Sequence, residues 1–342
     1  MTVLVTGSAG FIAGYLVQEL LDQGHRVVGV DNFSKYGTIE KSYQRHPNYK
    51  FVQGDAKDAK LLSELALECD HFVACAAKIG GISYFHEYAY DLIAENERII
   101  SASFDAAISA FKKAHLKKIT VLSSSMVFEN ATVWPTPESH LAACPPPSST
   151  YGFQKLACEY FAKGAWEQYK LPYTICRPFN CVGIGERRAL GDKDVPSGNI
   201  KLAMSHVVPD IVQKVLKGQD PLHILGSGAQ TRCYTYGGDL AKGIVTAMFH
   251  PAAANNDFNL STDDATTVLE LSELIWKKVY SGPAAKPFRY VSDEPYPYDV
   301  QKRIPNTTKA KEVLGFEAKT PLSNILDEVI PWIQQEIAAN RI

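Results

Sequence analysis

The sequence lacks the features that mark several classes of protein. No apolar run approaches the ~20 residues that a membrane span needs, and the first predicted strand begins so early that a signal peptide has no room. Basic and acidic residues almost balance, 35 against 37, so nothing favours nucleic acid or an anionic membrane as a partner. The seven cysteines are scattered and never form a CxxC pair, which argues against a disulfide framework or a bound metal. We therefore expect a cytoplasmic protein.

The sequence instead alternates apolar strands with helices. Strands are predicted at 3–6, 25–31, 49–55, 70–77, 117–125 and 172–178, and helices at 11–23, 58–67, 91–113 and 151–169. This order predicts the α/β class, with a doubly wound parallel (Rossmann) sheet covered by helices on both faces. The pattern then loosens, so we predict a first domain over 1–178 and a smaller C-terminal α/β domain over 179–342. Part of about 232–262 is expected to return to the first domain.

The opening stretch MTVLVTGSAGFIAGYL places Gly7 and Gly10 between a strand and the start of a helix. Free backbone N–H groups and the helix dipole favour an anion there, and glycine lets it approach closely. Asp31 ends the second predicted strand, where a carboxylate accepts hydrogen bonds from ribose hydroxyls and repels a 2′-phosphate. Since no Lys or Arg follows before Lys35, the pattern predicts NAD rather than NADP as the cofactor.

Tyr151 and Lys155 lie four residues apart on a predicted helix, hence on one face. An ammonium group close to a phenol favours the phenolate, so this tyrosine could take a proton from a sugar hydroxyl as hydride leaves the same carbon for nicotinamide. The serines of 123–125 end the fifth predicted strand, at the edge where ligands of doubly wound sheets bind. We expect these groups to form a catalytic site.

At these residues the chain resembles the extended short-chain dehydrogenase/reductase family, in its nucleotide-sugar epimerase and dehydratase branch (UDP-galactose 4-epimerase-like). The resemblance covers nearly the whole chain and rests on the motifs TGSAGFIAG, VDNFS, SSSMVF, YGFQK, CRPFNCVG, QTRCYTYGGDLAKGI and PNTTKAKEVLGF, in the expected order. One departure is Ala13, which stands where the family usually has its third glycine and is followed by Gly14. Because alanine is tolerated at that packing position, the NAD prediction stands.

The resemblance implies roles for individual residues. Ser124, Tyr151 and Lys155 are the implied catalytic residues. The implied NAD site contains Gly7, Gly10, Phe11, Ile12, Asp31, Asn32, Phe33, Ser34, Asp55, Ala56, Ala76, Ala77, Lys78, Asn96 and Ser123, together with Tyr151 and Lys155. The implied substrate site contains Ser125, Asn180, His206, Val207, Arg232, Asp299 and Arg303. Its two arginines would clamp the diphosphate of a nucleotide sugar, and Asp55 has an alternative role as the cap of the next helix.

The positions after Ser124 bear on the reaction. The 4,6-dehydratases of the family carry an Asp–Glu pair there and its sugar-acid decarboxylases a Glu, whereas this chain has Ser125 and Met126. Epimerase-reductases that act at C3 and C5 carry a Cys at the position of Met126 and a His that matches His206, so half of that apparatus is missing. The resemblance therefore implies an NAD-dependent C4 epimerase of a nucleotide sugar. A nucleotide-sugar 4-ketoreductase, a C3/C5 epimerase-reductase and a non-catalytic NAD-sensing regulator remain alternatives.

The nucleotide base and the sugar stay open at this point. Arg187 and Arg188 lie in the long loop after Asn180, where they could bind the carboxylate of a uronic acid or remain solvated charges. The family also implies a homodimer, in which the helices at 91–113 and 151–169 pair across a two-fold axis as a four-helix bundle.

We predict that the purified protein prefers NAD, and that Asp31→Ala combined with an added Arg nearby shifts the preference toward NADP. The carboxylate repels a 2′-phosphate, and its loss together with a new cation reverses the sign of the local charge. Dissociation constants for the two cofactors, measured by titration of each protein, test this expectation. Tighter binding of NADP by the unchanged protein would contradict the interpretation of Asp31.

Overall fold

The computed structural model describes residues 1–81, 84, 87–190, 193, 195–202, 206–295 and 299–342. Within these ranges the α-helices are α1 (Phe11–Asp22), α2 (Ala59–Ala66), α3 (Ala89–Lys113), α4 (Thr150–Tyr169), α5 (Val207–Leu216), α6 (Gly237–Phe249), α7 (Val268–Val279), α8 (Thr308–Leu314) and α9 (Leu322–Ala338). The β-strands are β1 (Thr2–Thr6), β2 (Arg26–Asp31), β3 (Tyr49–Gln53), β4 (His71–Ala74), β5 (Lys118–Leu122), β6 (Tyr173–Pro178), β7 (Cys181–Val182), β8 (Val195–Ser197), β9 (Ile200–Leu202), β10 (Leu222–Leu225), β11 (Thr231–Cys233), β12 (Thr235–Tyr236), β13 (Asn256–Leu260), β14 (Ala265–Thr267), β15 (Tyr290–Asp293) and β16 (Lys302–Arg303). No helix in this part of the chain is long and apolar enough to cross a membrane.

Seven parallel strands form the main sheet, in the order β13-β6-β5-β4-β1-β2-β3. The chain runs outward from β1 to β3 on one side and from β4 to β13 on the other. The strand order therefore reverses between β1 and β4, and a crevice opens beyond the carboxyl ends of these two strands. The predicted Rossmann sheet is confirmed.

Helices cover both faces of this sheet. Along β1, Val3 and Val5 point into a core shared with α1, α6 and α8, whereas Leu4 points into a second core shared with α2, α3 and α4. Side chains alternate between the two faces of a strand, so a strand that is covered on both faces is apolar at every position. This explains why the predicted strands of the first 180 residues are near-continuous apolar runs.

The C-terminal half contributes to two regions of the molecule. β13 (Asn256–Leu260) completes the main sheet beside β6, with Phe258 fully buried. A third core lies between α5, α7 and α9, where Leu271, Trp276 and Ile325 are buried. The chain thus crosses back to the large sheet before it completes the smaller core.

Several predicted strands are longer than the observed ones, and the difference is largest for the fourth and the fifth. The fourth ends at Ala74 instead of residue 77, and the fifth ends at Leu122 instead of residue 125. The fifth stops because Ser124 begins a 3₁₀ turn over Ser125–Phe128, in which its hydroxyl accepts the N–H of Met126 at 3.2 Å. The polar ends of both strands are turns at the crevice rather than strand.

A buried ion network joins α4 to the end of the sheet. Arg177 on β6 donates from Nε and Nη2 to the two carboxylate oxygens of Glu159 on α4, both at 2.7 Å, and neither side chain is exposed. Arg177 also pairs with Asp257 on β13 at 2.6 Å, and Asp257 pairs with Lys309 at 2.7 Å. The Ser123 hydroxyl donates to Glu159 at 2.6 Å. One carboxylate therefore links α4, β6 and the end of β5.

Glu159→Gln is expected to lower the free energy of unfolding by about 3 kcal/mol, because it leaves a buried guanidinium with one carboxylate fewer. Urea unfolding followed by circular dichroism measures the change. Glu273→Gln is the matched control, since it breaks the exposed pair with Lys277 and should cost less than about 0.5 kcal/mol. Equal losses of unfolding free energy for both variants would show that the buried network stabilises the protein no more than an exposed ion pair does.

Candidate active site

A cleft runs along the carboxyl ends of β1, β2, β4 and β5, at the reversal of strand order. It brings together most of the residues predicted for the two sites: Gly7, Gly10, Phe11, Ile12, Asp31, Asn32, Ser34, Asp55, Ala56, Ala76, Ala77, Lys78, Ser123, Ser124, Ser125, Tyr151, Lys155, Asn180, His206, Val207 and Arg303. Four predicted residues lie outside its lining: Phe33, Asn96, Arg232 and Asp299.

The glycine turn shapes one end of the cleft. Gly7 has φ +70°, and a Cβ there would lie 2.8 Å from the Cα of Ala76, so the turn needs glycine. Gly10 precedes α1, and no side chain caps that helix. The first N–H groups of α1, which belong to Phe11 and Ile12, therefore face the cleft and suit the pyrophosphate of a dinucleotide.

Asp31 lies at the adenosine side of this turn. Its carboxylate accepts the N–H of Ala9 at 3.0 Å and the N–H of Phe33 at 2.7 Å, which fixes its position while it still lines the cleft. The prediction that Phe33 contacts the cofactor is not supported by its position. Its φ is +57°, and its ring packs on Phe51 with centroids 5.0 Å apart. Phe33 contributes to the site through its backbone N–H, which holds the carboxylate of Asp31, and not through its ring.

The structure separates the two roles considered for Asp55. Asp58, not Asp55, caps α2, because its side chain accepts the N–H groups of Lys60 and Leu61. Asp55 lines the cleft with Ala56 and accepts the N–H of Lys57 at 2.9 Å. The helix-cap interpretation of Asp55 is wrong.

Asn96 acts behind the cleft rather than in it. It is 2% exposed, its Oδ1 accepts the N–H of Lys78 at 2.6 Å, and its Nδ2 donates to the carbonyl of Lys78 at 2.9 Å. The predicted direct contact of Asn96 with the cofactor is replaced by an indirect role. It holds the turn after β4, in which Ala76 and Ala77 line the cleft.

The predicted catalytic groups meet at the centre of the cleft. Ser149 caps α4 by accepting the N–H of Gly152, and the helix then presents Tyr151 and Lys155 to the cleft on one face. Lys155 Nζ donates to the carbonyl of Leu122 at 2.9 Å. This bond ties α4 to the end of β5, directly before the serines. Tyr151, Lys155 and Ser124 therefore line one short stretch of wall.

A pair of arginines lies at the far end. Arg303 on β16 is in register with Arg232 on β11, and Arg232 pairs with Asp299 at 3.3 Å behind it. Arg303 lines the cleft and donates to Oδ1 of Asn180 at 3.4 Å, while its buried Nε has no partner among the described atoms. Burial, together with the neighbouring Arg232, lowers the pKa of Arg303 to about 9. Because two guanidinium groups lie beside a single carboxylate, this end of the cleft has an excess of positive charge, which suits an anion.

His206 carries a partner that sequence patterns did not reveal. It precedes α5, and its Nδ1 pairs with a carboxylate oxygen of Glu186, which also lines the cleft. The adjacent carboxylate of Glu186 raises the pKa of His206 above its ordinary value. Glu186 lies in a polar loop without regular structure, so its distance from His206 could not be inferred from spacing.

The arginine proposed for a uronate is directed elsewhere. Arg187 pairs with Glu336 on α9 at 3.5 Å. It also lies close enough to Lys41 for its charge to contribute to the lowered pKa of that lysine. Lys41 donates to the carbonyl of Gly10 at 3.2 Å, beside the glycine turn. Arg187 therefore lies on the side of α1 and α9.

The fold and this set of residues define a dinucleotide-binding cleft of the Rossmann type whose far end carries arginine side chains. Residues 3–261 match the NAD dependent epimerase/dehydratase family, and the chain belongs to that family. Its cofactor is NAD, and solved structures with the same fold contain NAD. Relatives with the names of nucleotide-sugar enzymes align over nearly the whole chain.

Three relatives show the range of reactions around this chain. A UDP-N-acetyl-alpha-D-glucosaminuronate decarboxylase of Bacillus cytotoxicus is 29% identical over 341 residues, 97% of each chain. A UDP-glucose 4-epimerase of Halalkalibacterium halodurans is 26% identical over 349 residues, 97% of this chain and 95% of its own. The structure of a UDP-glucose 4-epimerase from Thermotoga maritima with UDP-glucose has a TM-score of 0.79 and 28% identity, and it covers 98% of this chain and 100% of its own.

The His206–Glu186 pair predicts a pH dependence of stability. Because the pKa of His206 is raised in the folded protein, the pair stabilises fully below the unfolded value of about 6.5 and is lost as pH rises through the folded value. His206→Gln should therefore lower Tm by about 2 °C in mild acid and less at high pH. Differential scanning calorimetry across pH measures this. Exposed His115→Gln is the control, and a deficit of His206→Gln that grows with pH would contradict the assignment.

Proposed function

We propose that the protein is an NAD-dependent C4 epimerase of a nucleotide sugar. The observation that carries the proposal is the turn after Ser124, where Ser125 and Met126 line the cleft. A thioether exchanges no proton, and a serine hydroxyl without a base is a poor acid or base. Elimination of water and removal of a carbon-bound proton both need such groups. Hydride chemistry at a single carbon needs only the groups that are present.

The residues divide the work of such a reaction. Tyr151 takes the proton of the sugar 4-hydroxyl, the hydroxyl of Ser124 hydrogen-bonds the same oxygen, and Lys155 places its positive charge one helical turn from Tyr151. NAD, when bound, supplies the acceptor of the C4 hydride and the donor that returns it. After the 4-keto sugar has turned in the cleft, Tyr151 gives its proton back to the oxygen. Protons and electrons balance over the cycle, so no external reductant is needed.

The arginine end of the cleft supports a diphosphate substrate. Arg303 has a buried Nε that finds no partner in the part of the chain that the structure describes, and a second guanidinium, that of Arg232, lies beside it. A diphosphate supplies the missing acceptors and the missing negative charge. A substrate held firmly there leaves its sugar free to turn, as a C4 epimerase requires.

A second candidate is supported by the pair of His206 with Glu186. An imidazole oriented by a carboxylate is the arrangement of a general acid or base, and epimerase-reductases acting at C3 and C5 use a His at this place in the family. The partner base would stand at Met126, which lacks it. We therefore rank C3/C5 chemistry, and likewise the 4-ketoreductase, below C4 epimerisation.

We also propose that the enzyme is a homodimer that pairs through α3 and α4. The outer surface of α4 exposes large apolar side chains, with Phe153 at 50% and Tyr160 at 64%, and Tyr90 at the start of α3 is 77% exposed. Such side chains on neighbouring helices favour burial against a second copy. A two-fold axis would then build a bundle of four helices.

Sugar nucleotide interconverted in D₂O should gain no deuterium at any carbon and should consume no reduced cofactor. A C4 epimerase returns the hydride that it took, and C4 never exchanges a proton with solvent. Product analysis by NMR and mass spectrometry, with UDP-glucose and dTDP-glucose as first probes, measures both quantities. Deuterium at C3 or C5 would contradict C4 epimerisation and identify His206 as an acid. Consumption of reduced cofactor in proportion to product would identify a reductase.

Tyr151→Phe should lower turnover about 10³-fold or more in the same assay while cofactor content stays the same, because proton transfer is lost but the ring still packs. Tyr160→Phe on the exposed side of the same helix is the matched control and should keep full activity. Near-normal turnover of Tyr151→Phe would contradict the role assigned to this tyrosine.

A further inference from the structure

The wall of the cleft beside Tyr151 is apolar. Tyr151 belongs to a buried cluster with Leu92 and Met126, and Ile79 and Tyr84 pack against it. Ile79, Tyr84, Met126 and Tyr151 all line the cleft. The catalytic phenol therefore stands at the edge of a hydrophobic surface that is itself exposed to the substrate.

This wall is built by close packing. A Cβ on Gly80 would lie 2.5 Å from Cγ of Tyr84, so Tyr84 occupies space that only glycine leaves open at residue 80. Val300 packs against the same cluster from the segment that leads to Arg303. The apolar surface thus extends from the catalytic tyrosine toward the arginine end.

The sugar of the substrate lies along this wall, if the proposed function holds. C4 must reach Tyr151, and the diphosphate on C1 must reach Arg303, which is close enough to Tyr151 for their charges to interact. A hexose held between these two groups presents the substituents next to C4 to the neighbouring wall. The C5 substituent is the one whose polarity varies most between sugars, as a methyl, a hydroxymethyl or a carboxylate group.

Three cationic groups of the cleft have partners of their own, and Lys35 and Lys78 line the cleft as well. Lys155 donates to a backbone carbonyl, His206 pairs with Glu186, and Lys57 pairs with Glu95 near the adenosine side. A carboxylate placed on the side chains of Ile79, Tyr84 and Met126 would lose its hydration, and these three side chains supply no cation to offset that loss. A hydroxyl would lose less, and a methyl group would gain by burial.

We propose that the substrate is a nucleotide-linked 6-deoxyhexose, whose C5 methyl group packs on Met126 and its neighbours. The proposal rests on the C4 chemistry proposed above and adds the class of sugar. It excludes uronic acids as preferred substrates, although the named reactions of some relatives act on them.

The experiment compares three probes that differ only at C6: UDP-6-deoxyglucose, UDP-glucose and UDP-glucuronate, with the dTDP series in parallel because the base is open. Single-turnover reduction of the bound nicotinamide, followed by its absorbance, gives kcat/KM, and displacement titration gives Kd. We expect the 6-deoxy sugar to exceed the hexose by about tenfold, since an apolar pocket rejects an added hydroxyl only modestly. The uronate should be slower by about 10³-fold or more.

Variants of the wall sharpen the test. Met126→Gln should reduce the preference for the 6-deoxy sugar over the hexose to about twofold, whereas Met126→Leu keeps an apolar wall and should preserve it. Gly80→Ala displaces Tyr84 and should also reduce the preference. Bound cofactor and Tm, measured for each variant, separate loss of selectivity from loss of fold.

The outcomes distinguish this inference from the proposed function. Reduction of the cofactor by the uronate as fast as by the 6-deoxy sugar would overturn the inference and leave C4 oxidation standing. If no probe reduces the cofactor but the 6-deoxy nucleotide still binds at least tenfold more tightly than the uronate, the wall is supported and the reaction is contradicted. Equal binding of all three probes, with equal rates, would overturn the inference.

Discussion

The buried ion pair of Arg177 with Glu159 holds the catalytic wall in place. Tyr151, Lys155 and Glu159 follow one another at intervals of four on α4, so a single helix face carries the proton-transfer group, its cation and the anchor. Lys155 donates to the carbonyl of Leu122 and Glu159 accepts from the hydroxyl of Ser123, so the last residue of β5 and the residue after it are both bonded to α4, directly before Ser124. If α4 shifted along the sheet, these two buried hydrogen bonds would be strained, and their buried groups could not bond to water instead. The positions of Tyr151 and Lys155 relative to Ser124 therefore depend on this buried ion pair and on the hydrogen bonds beside it.

At the opposite end of the cleft, the charge of the arginines is not balanced by carboxylates in the same way. Arg303 and Arg232 lie together with Asp299 as the nearby carboxylate, and the lowered pKa of Arg303 reflects burial and this repulsion. Arg177, by contrast, has two carboxylates and a pKa raised above its ordinary range. The charge of Arg177 is balanced by carboxylates of the fold, whereas Arg303 lies in the cleft beside a second guanidinium.

The order of elements could be predicted from the sequence because apolar strands buried on both faces and a glycine turn before a helix are local patterns. Tyr151, Lys155, Asp31 and Ser124 lie where those patterns place them, at strand ends or on one helix face. What could not be predicted depends on distant contacts. The ring of Phe33 turns to Phe51, Asn96 bonds a backbone eighteen residues away, and Glu186 meets His206 across an irregular loop. Contacts of this kind depend on how distant segments pack against each other, so no regular spacing in the sequence indicates them.

The irregular loop after β7 is held by α1 rather than by its own hydrogen bonds. The N–H of Ile184 donates to the hydroxyl of Tyr15 at 2.8 Å, and a Cβ on Gly183 or Gly237 would lie 2.3 or 2.5 Å from atoms of the same side chain. Tyr15 lies one turn beyond the N–H groups that face the cleft at the start of α1, and the loop that it anchors carries Glu186. The helix that forms the pyrophosphate end thus also positions the partner of His206. The pyrophosphate end of the cleft and the loop that carries Glu186 therefore share one helix as their support.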